Sequence, residues 1–289
     1  MNFLLKIIPF YFNKQRINLQ IHYSLLTTGG FLLGVIRENI SLLEINFLKL
    51  ILSVITILIA FYSSLVFNDI EDFEGDRINF KITPLTAEIV DKKTYFKYGI
   101  LFLFLSLFLS LFLNIYFFLN ILILHIIQII YTFPPFRLKR FYPISIFLLS
   151  LAALFSILSG FSVIESSEFL KKFPLKLYLI FILAFPFAMN FRDVLDLKGD
   201  KIQGIKTLAV IVGEKRAPIF AGISLFITYI LVALILFKII FFLLSVIAGT
   251  LCIIFSLRKK FDETPFFTIY FSYLIIFIFI IYFKPNYIF

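Results

Sequence analysis

Apolar residues dominate nine stretches of the chain, each close to the roughly 20 residues needed to cross a hydrocarbon core. They fall at 17–36, 47–67, 96–113, 115–132, 141–162, 176–191, 217–236, 238–256 and 266–283. Polar residues are confined to the connections between them. Two pairs of stretches are nearly continuous, with Asn114 dividing one and Lys238 the other, as the tips of tight hairpins would. The pattern predicts an all-α polytopic membrane protein of about nine transmembrane helices, with one domain over 1–289.

Composition supports that reading. Hydrophobic residues make up 61% of the chain, whereas a soluble domain carries about 45–50%. The excess implies that the outer surface faces lipid. The net charge of +10 would suggest nucleic acid in a soluble protein. Here the bases sit in short loops between apolar stretches, so nucleic acid is not an expected partner. The strongly charged connections are 68–95, 133–140, 192–216 and 257–265, after the second, fourth, sixth and eighth stretches. That side, with the N-terminus, carries 20 of the 27 Lys and Arg, so the positive-inside rule makes it cytoplasmic in a cell membrane. The first stretch is preceded by Lys14 and Arg16 without a small-residue cleavage pattern, and no cleavable signal peptide is expected. A lone cysteine, Cys252, excludes an intrachain disulfide, and no zinc or haem spacing occurs.

Topology explains basic loops, but not the acids beside them: 13 of the 17 Asp and Glu lie on the same side. The second stretch runs into Asn68, Asp69, Asp72, Asp76 and Arg77. The sixth runs into Asp193, Asp196, Asp200 and Lys201. In both clusters the aspartates are three and four apart, which on a helix places them on one face. Both have Gly just before the last Asp, at Gly75 and Gly199, and a base just after it. They read as two copies of one device, each supplying half of a site.

Converging carboxylates repel unless a cation intervenes. Carboxylate oxygens with an amide such as Asn68 suit Mg2+ or Ca2+ rather than zinc. Magnesium commonly takes one or two carboxylates and completes its shell with water and phosphate oxygens. Arg77, Lys81, Arg137, Lys139, Lys198, Lys201 and Lys206 lie in the same loops. Acids that hold a metal beside bases that hold oxyanions make a diphosphate site.

These motifs resemble those of the UbiA superfamily of intramembrane prenyltransferases. The pattern NDxxDxxxD is matched by Asn68, Asp69, Asp72 and Asp76, and DxxDxxxD by Asp193, Asp196 and Asp200, followed by Gly204, Thr207, Leu208 and Gly213. Tyr131-Thr132-Phe133-Pro134-Pro135-Phe136-Arg137-Leu138-Lys139-Arg140 is similar to the family's Tyr-Ser-x-Pro-Pro-x-Arg-Leu-Lys loop. The chain departs from the family at Thr83, where an arginine is expected, and at Glu88, where a glycine is expected. The Gly-Asn often seen after the Pro-Pro loop is absent.

The resemblance implies a helical bundle around a central cavity. It implies a polyprenyl diphosphate held through Mg2+ by Asn68, Asp69, Asp72, Asp76, Asp193, Asp196 and Asp200. Asp72, Asp76, Asp196 and Asp200 would be catalytic, and Arg77, Lys81, Tyr131, Arg137 and Lys139 would bind the diphosphate. An aromatic or lipid acceptor would take the prenyl group within the bilayer. The second motif, with its Gly-Asp and Gly-x-x-Thr-Leu, looks closest to the ether-lipid, homogentisate and chlorophyll branches.

The alternative from another class is a cation transporter using the paired Asp clusters. Such a protein needs ionisable residues within its spans, and the span interiors here are nearly free of Asp and Glu. Pro186 would kink the sixth stretch just before its motif under either reading. The DGxxAR opening of CDP-alcohol phosphotransferases is absent.

Overall fold

A computed structural model describes residues 9–10, 12, 14–165 and 167–289. Among the described residues the chain is helical, with one isolated parallel pairing of Phe141 and Lys206. The helices are α1 (Lys14–Arg37), α2 (Phe47–Glu71), α3 (Phe73–Ile78), α4 (Lys92–Leu111), α5 (Ile115–Thr132) and α6 (Ile144–Ile164). There follow α7 (Leu175–Phe191), α8 (Asp193–Ile202), α9 (Leu208–Val212), α10 (Ala217–Leu236), α11 (Ile239–Ser256) and α12 (Thr264–Phe283). Eight of the described helices are long and apolar enough to cross a membrane, or up to nine if α7 and α8, bent by 75°, count as one broken span. These coincide with the nine apolar stretches.

Polar residues at the stretch boundaries set the helix starts. Asn46 accepts from the Lys49 amide, Asp91 from Thr94 and Asn114 from Phe117, at 3.1, 2.9 and 2.8 Å. Each side chain satisfies one of the amides that a helix start leaves without a partner. At the other expected hairpin, Phe237 adopts φ 53° and ends α10, and Lys238 begins α11.

The chain divides into two compact units. One comprises residues up to Arg137 with Phe155–Phe173, the other Leu138–Leu154 with Pro174–Phe289. In the first unit, α1 crosses the C-terminal half of α6 backbone against backbone. A Cβ at Gly160 would lie 1.8 Å from the Thr27 carbonyl oxygen, and one at Gly30 would lie 1.9 Å from that of Ile157. Lipid provides no hydrophobic drive between helices, so small residues and close packing hold such crossings. The apolar centre of this unit is Phe31, Ile57, Phe117, Ile121 and Val163.

In the second unit, α7 departs from α-helical bonding just before the second Asp motif. The Phe185 amide donates to the Ile180 carbonyl, one residue beyond the usual partner. In that register Pro186 would face Phe181, but proline has no amide proton. The Ser150 hydroxyl donates to the Phe181 carbonyl instead, and Thr228 Oγ1 donates to that of Ala184 at 3.3 Å. The expected disturbance at Pro186 is therefore a widened turn in which the Phe181 carbonyl, deprived of an amide, is met by a hydroxyl from α6.

Candidate diphosphate and metal site

The first motif occupies the end of α2 and the whole of α3. Asp72 closes α2 and opens α3, yet its amide donates to the Asn68 carbonyl and the Asp76 amide donates to that of Asp72, both at 2.8 Å. One four-residue bond thus lies on each side of the junction. Asn68, Asp72 and Asp76 follow one another at single-turn intervals, about 40° apart around the axis. Asn68 and Asp72 are half-buried and Asp76 is buried.

Asp69 lies at the far edge of that arc, about 100° from Asn68, and its carboxylate is engaged inside the protein. Arg16 Nη2 donates to both carboxylate oxygens at 2.7 Å, and the Tyr95 hydroxyl donates to Oδ2 at 2.9 Å. All three residues are buried.

Bases surround the same motif. Lys81 Nζ stands 3.7 Å from Asp76 Oδ1, and Arg137 Nη2 stands 3.6 Å from Asp72 Oδ1. The Arg137 guanidinium also donates to the Glu71 carbonyl at 3.1 Å, placing a cation at the negative end of α2. Arg77 is exposed, with its guanidinium 5.7 Å from the Phe73 ring centre. Tyr131 is half-buried in the last turn of α5.

Both departures from the family pattern acquire a local account. Thr83 is buried, and its amide donates to Thr86 Oγ1 at 2.8 Å while the Thr86 amide donates to Thr83 Oγ1 at 3.1 Å. A hydroxyl at 83 closes this loop in a way an arginine would not. Glu88 has φ 56°, the left-handed region in which glycine carries no penalty. The family's glycine at that place matches the conformation.

The second motif belongs to the second unit. Asp193, Asp196 and Asp200 lie along one face of α8, all half-buried, while Leu197 and Gly199 pack inward. Asp193 and Asp196 sit in the first turn, where the helix dipole favours negative charge. Beyond α8 the chain turns at Gly204, whose φ is 69°. Thr207 Oγ1 caps α9 by accepting from Val210, and Gly213 closes α9 at φ 85°. The Lys206 amide donates to the Arg140 carbonyl at 3.2 Å, which ties this loop to the end of the Pro-Pro segment. Lys139 in that segment is buried. Lys198 is exposed beside Glu214.

Three residues of interest carried no motif signal. Arg16 counted only as a basic flank, and Tyr95 was one aromatic among many. Tyr142 follows the Pro-Pro segment, and burial with the nearby Asp193 charge pushes its phenol above the usual range.

The donor chemistry fits Mg2+. Both motifs present hard oxygens at successive positions along a helix, one an amide with two carboxylates, the other three carboxylates. Among the described residues no three His, Cys, Asp or Glu are grouped to hold a metal by themselves. A hard cation here would complete its shell with water and substrate oxygens, as Mg2+ does.

Fold and site together define a polytopic α-helical membrane protein whose helices end in acidic, base-flanked motifs. The model of the UbiA prenyltransferase family matches residues 25–282, and the chain belongs to that family. Solved structures share its fold. A UbiA homologue from Archaeoglobus fulgidus bound to DMAPP and Mg2+ is 23% identical with a TM-score of 0.68, covering 91% of this chain and 94% of that one. The GPP and Mg2+ complex of a homologue from the same organism gives 0.69 at 23% identity with the same coverage. A structure described for digeranylgeranylglyceryl phosphate synthase in membranes gives 0.55 at 25% identity, covering 93% and 98%. No curated protein sequence matches the chain.

Proposed function

We propose that this chain is a Mg2+-dependent prenyltransferase, moving a polyprenyl group from an allylic diphosphate to an aromatic or lipid acceptor in the membrane. The observation that carries the reading is the ladder of Asn68, Asp72 and Asp76 with Arg137 and Lys81 at its edge. Acids that hold a hard cation and bases that hold phosphate oxygens lie within 4 Å of one another there.

Asn68, Asp72 and Asp76 in the first motif, and Asp193, Asp196 and Asp200 in the second, would each hold Mg2+, which supplies charge neutralisation for a leaving diphosphate. Lys81 and Arg137 bind the diphosphate oxygens, with Tyr131 and Lys139 as further contacts and Arg77 at the exposed rim. The bond between the allylic carbon and the diphosphate oxygen breaks. The acceptor's nucleophilic atom bonds to that carbon and gives up a proton. The isoprenoid tail stays in lipid while its charged head reaches the motif-bearing face, which the positive-inside count makes cytoplasmic. DMAPP and GPP with Mg2+ in the Archaeoglobus structures support the donor class. Likeness to the structure described for digeranylgeranylglyceryl phosphate synthase supports including a glycerol-phosphate lipid in the acceptor panel.

The test is diphosphate release from geranylgeranyl diphosphate by purified protein, with and without Mg2+, over a panel of acceptors. Metal-dependent release with a prenylated product is expected, falling about 100-fold or more in Asp72→Ala and Asp196→Ala. A folded protein that releases no diphosphate from any donor, or whose release ignores both substitutions, overturns the proposal. Cation flux in liposomes would then be measured.

A further inference from the structure

We infer that Asp69, with Arg16 and Tyr95, is a positioning device that sets the rotation of the motif-bearing end of α2, rather than a ligand of the metal. The inference rests on the prenyltransferase reading and concerns how its first motif is held. Both Asp69 oxygens accept from Arg16, and Oδ2 also accepts from Tyr95. A metal would have to displace a charged contact that engages both oxygens to reach either one. The three side chains come from α1, α2 and α4, so the contact joins three helices at one level. Asp69 adjoins Asn68 and lies one turn before Asp72.

Packing on either side of the contact reinforces the same register. Ser63 Oγ donates to the Gly99 carbonyl at 2.9 Å, and the Phe67 ring covers Gly99, where an added Cβ would come within 2.6 Å of it. Val66, Leu85, Val90 and Tyr95 form a buried apolar cluster beneath the motif. Apolar residues would pack this region without the cost of burying charge, and buried ion pairs are weak contributors to net stability. What the ion pair adds, together with the Tyr95 hydroxyl from a third helix, is direction. It fixes where the next residues along α2 point, which is what Asn68 and Asp72 require. Partners that orient metal ligands commonly change metal affinity about 10- to 100-fold when removed.

The experiment measures Mn2+ binding to the full-length protein in micelles, by the electron paramagnetic resonance of free Mn2+. It compares wild type, Asp69→Asn, Arg16→Gln, the double variant and Asp72→Asn, with thermal stability of each metal-free protein and diphosphate release recorded alongside. The expected result is a Kd raised about tenfold in both Asp69→Asn and Arg16→Gln, and no further in the double variant. Asp72→Asn should lose Mn2+ binding more completely. If Asp69 is itself a ligand, Arg16→Gln will leave the Kd unchanged or lower it while Asp69→Asn raises it, and the inference is wrong. Lower thermal stability with an unchanged Kd in both variants marks a merely structural contact and also overturns it. Wild-type protein that neither binds Mn2+ nor releases diphosphate removes the underlying reading, and the inference falls with it.

Discussion

Replacing Gly160 by alanine adds one methyl group at the tightest crossing in the first unit. The ideal Cβ position is 1.8 Å from the Thr27 carbonyl oxygen and 2.8 Å from the Phe31 nitrogen. Both obstacles are backbone atoms of α1, so no side chain can rotate out of the way. Reaching an ordinary contact of at least 3.0 Å requires α1 and α6 to part by about 1.2 Å. Overfilling a packed contact of this kind costs about 1–3 kcal/mol. The hydrogen bond from Thr27 Oγ1 to the Ser156 carbonyl, already 3.3 Å long, is lost as the helices separate, at about 0.6 kcal/mol in a membrane. The expected destabilisation is therefore about 2–3 kcal/mol. Gly30→Ala should match it, because its Cβ lies 1.9 Å from the Ile157 carbonyl oxygen. The Gly30/Gly160 double variant should fall well short of additive, since one separation accommodates both methyl groups. Reversible unfolding in mixed micelles gives the measurement, with the exposed Leu243→Ala as a control expected to stay within about 0.5 kcal/mol. A Gly160→Ala variant as stable as that control would refute backbone contact as the basis of the crossing.

Other positions give sharper tests of local structure. Ser150→Ala removes the donor to the Phe181 carbonyl and should cost about 1 kcal/mol in the same unfolding assay. Adding Pro186→Ala restores a backbone donor, so the double variant should regain part of the loss. Glu88→Gly relieves a left-handed residue at φ 56° and should raise stability by about 1 kcal/mol. Asp91 accepts from the Thr94 amide at the start of α4, and hydrogen bonding to the Thr94 hydroxyl, then to its amide, holds the Asp91 carboxyl below the usual carboxylate range. A depressed folded-state pKa gives a contribution that is present above the unfolded-state value and lost as pH falls through the folded one. Asp91→Asn keeps a capping oxygen but has no proton to take up, so the acid limb of the stability profile should flatten. An unchanged limb would show that the cap does not titrate with folding.

Much of this architecture was legible because lipid imposes a blunt constraint. A spanning segment must be long, apolar and helical, so runs of Phe, Ile and Leu mark the spans, and Asn114 and Lys238 mark the hairpin tips. Helical spacing likewise exposed the two acidic motifs. What the spacing did not disclose is which acid turns away. Asn68, Asp69, Asp72 and Asp76 all fall within one arc of about 100°, and nothing in that arc singles out Asp69. The decision comes from Arg16 and Tyr95, which lie 53 and 26 residues from it in sequence. The widened turn at Ile180–Ala184 was equally hidden. Pro186 announces a missing amide, but the hydroxyl that replaces it belongs to Ser150 on α6.

The two motifs align as repeats through Gly75 and Gly199, which pairs Asp69 with Asp193 and Asn68 with Arg192. Their surroundings explain why the pairs differ. The first motif lies where α2 gives way to α3, with Asn68 and Asp69 in the last turn of α2, the unfavourable end for carboxylates. Cations accordingly gather there: Arg16 on Asp69, Arg137 on Asp72 and the Glu71 carbonyl, and Lys81 near Asp76. The first residue of this motif is a neutral amide, Asn68, which adds no charge at that end. The second motif follows a 75° bend, so α8 begins at Asp193 itself and the residue before it sits outside the helix. Position 192, the equivalent of Asn68, is an arginine at the cap of α8. Asp193 opens that helix, at the end that favours an acid. The same spacing thus occurs with Asn-Asp-Asp where α2 gives way to α3 and with three aspartates at the start of α8.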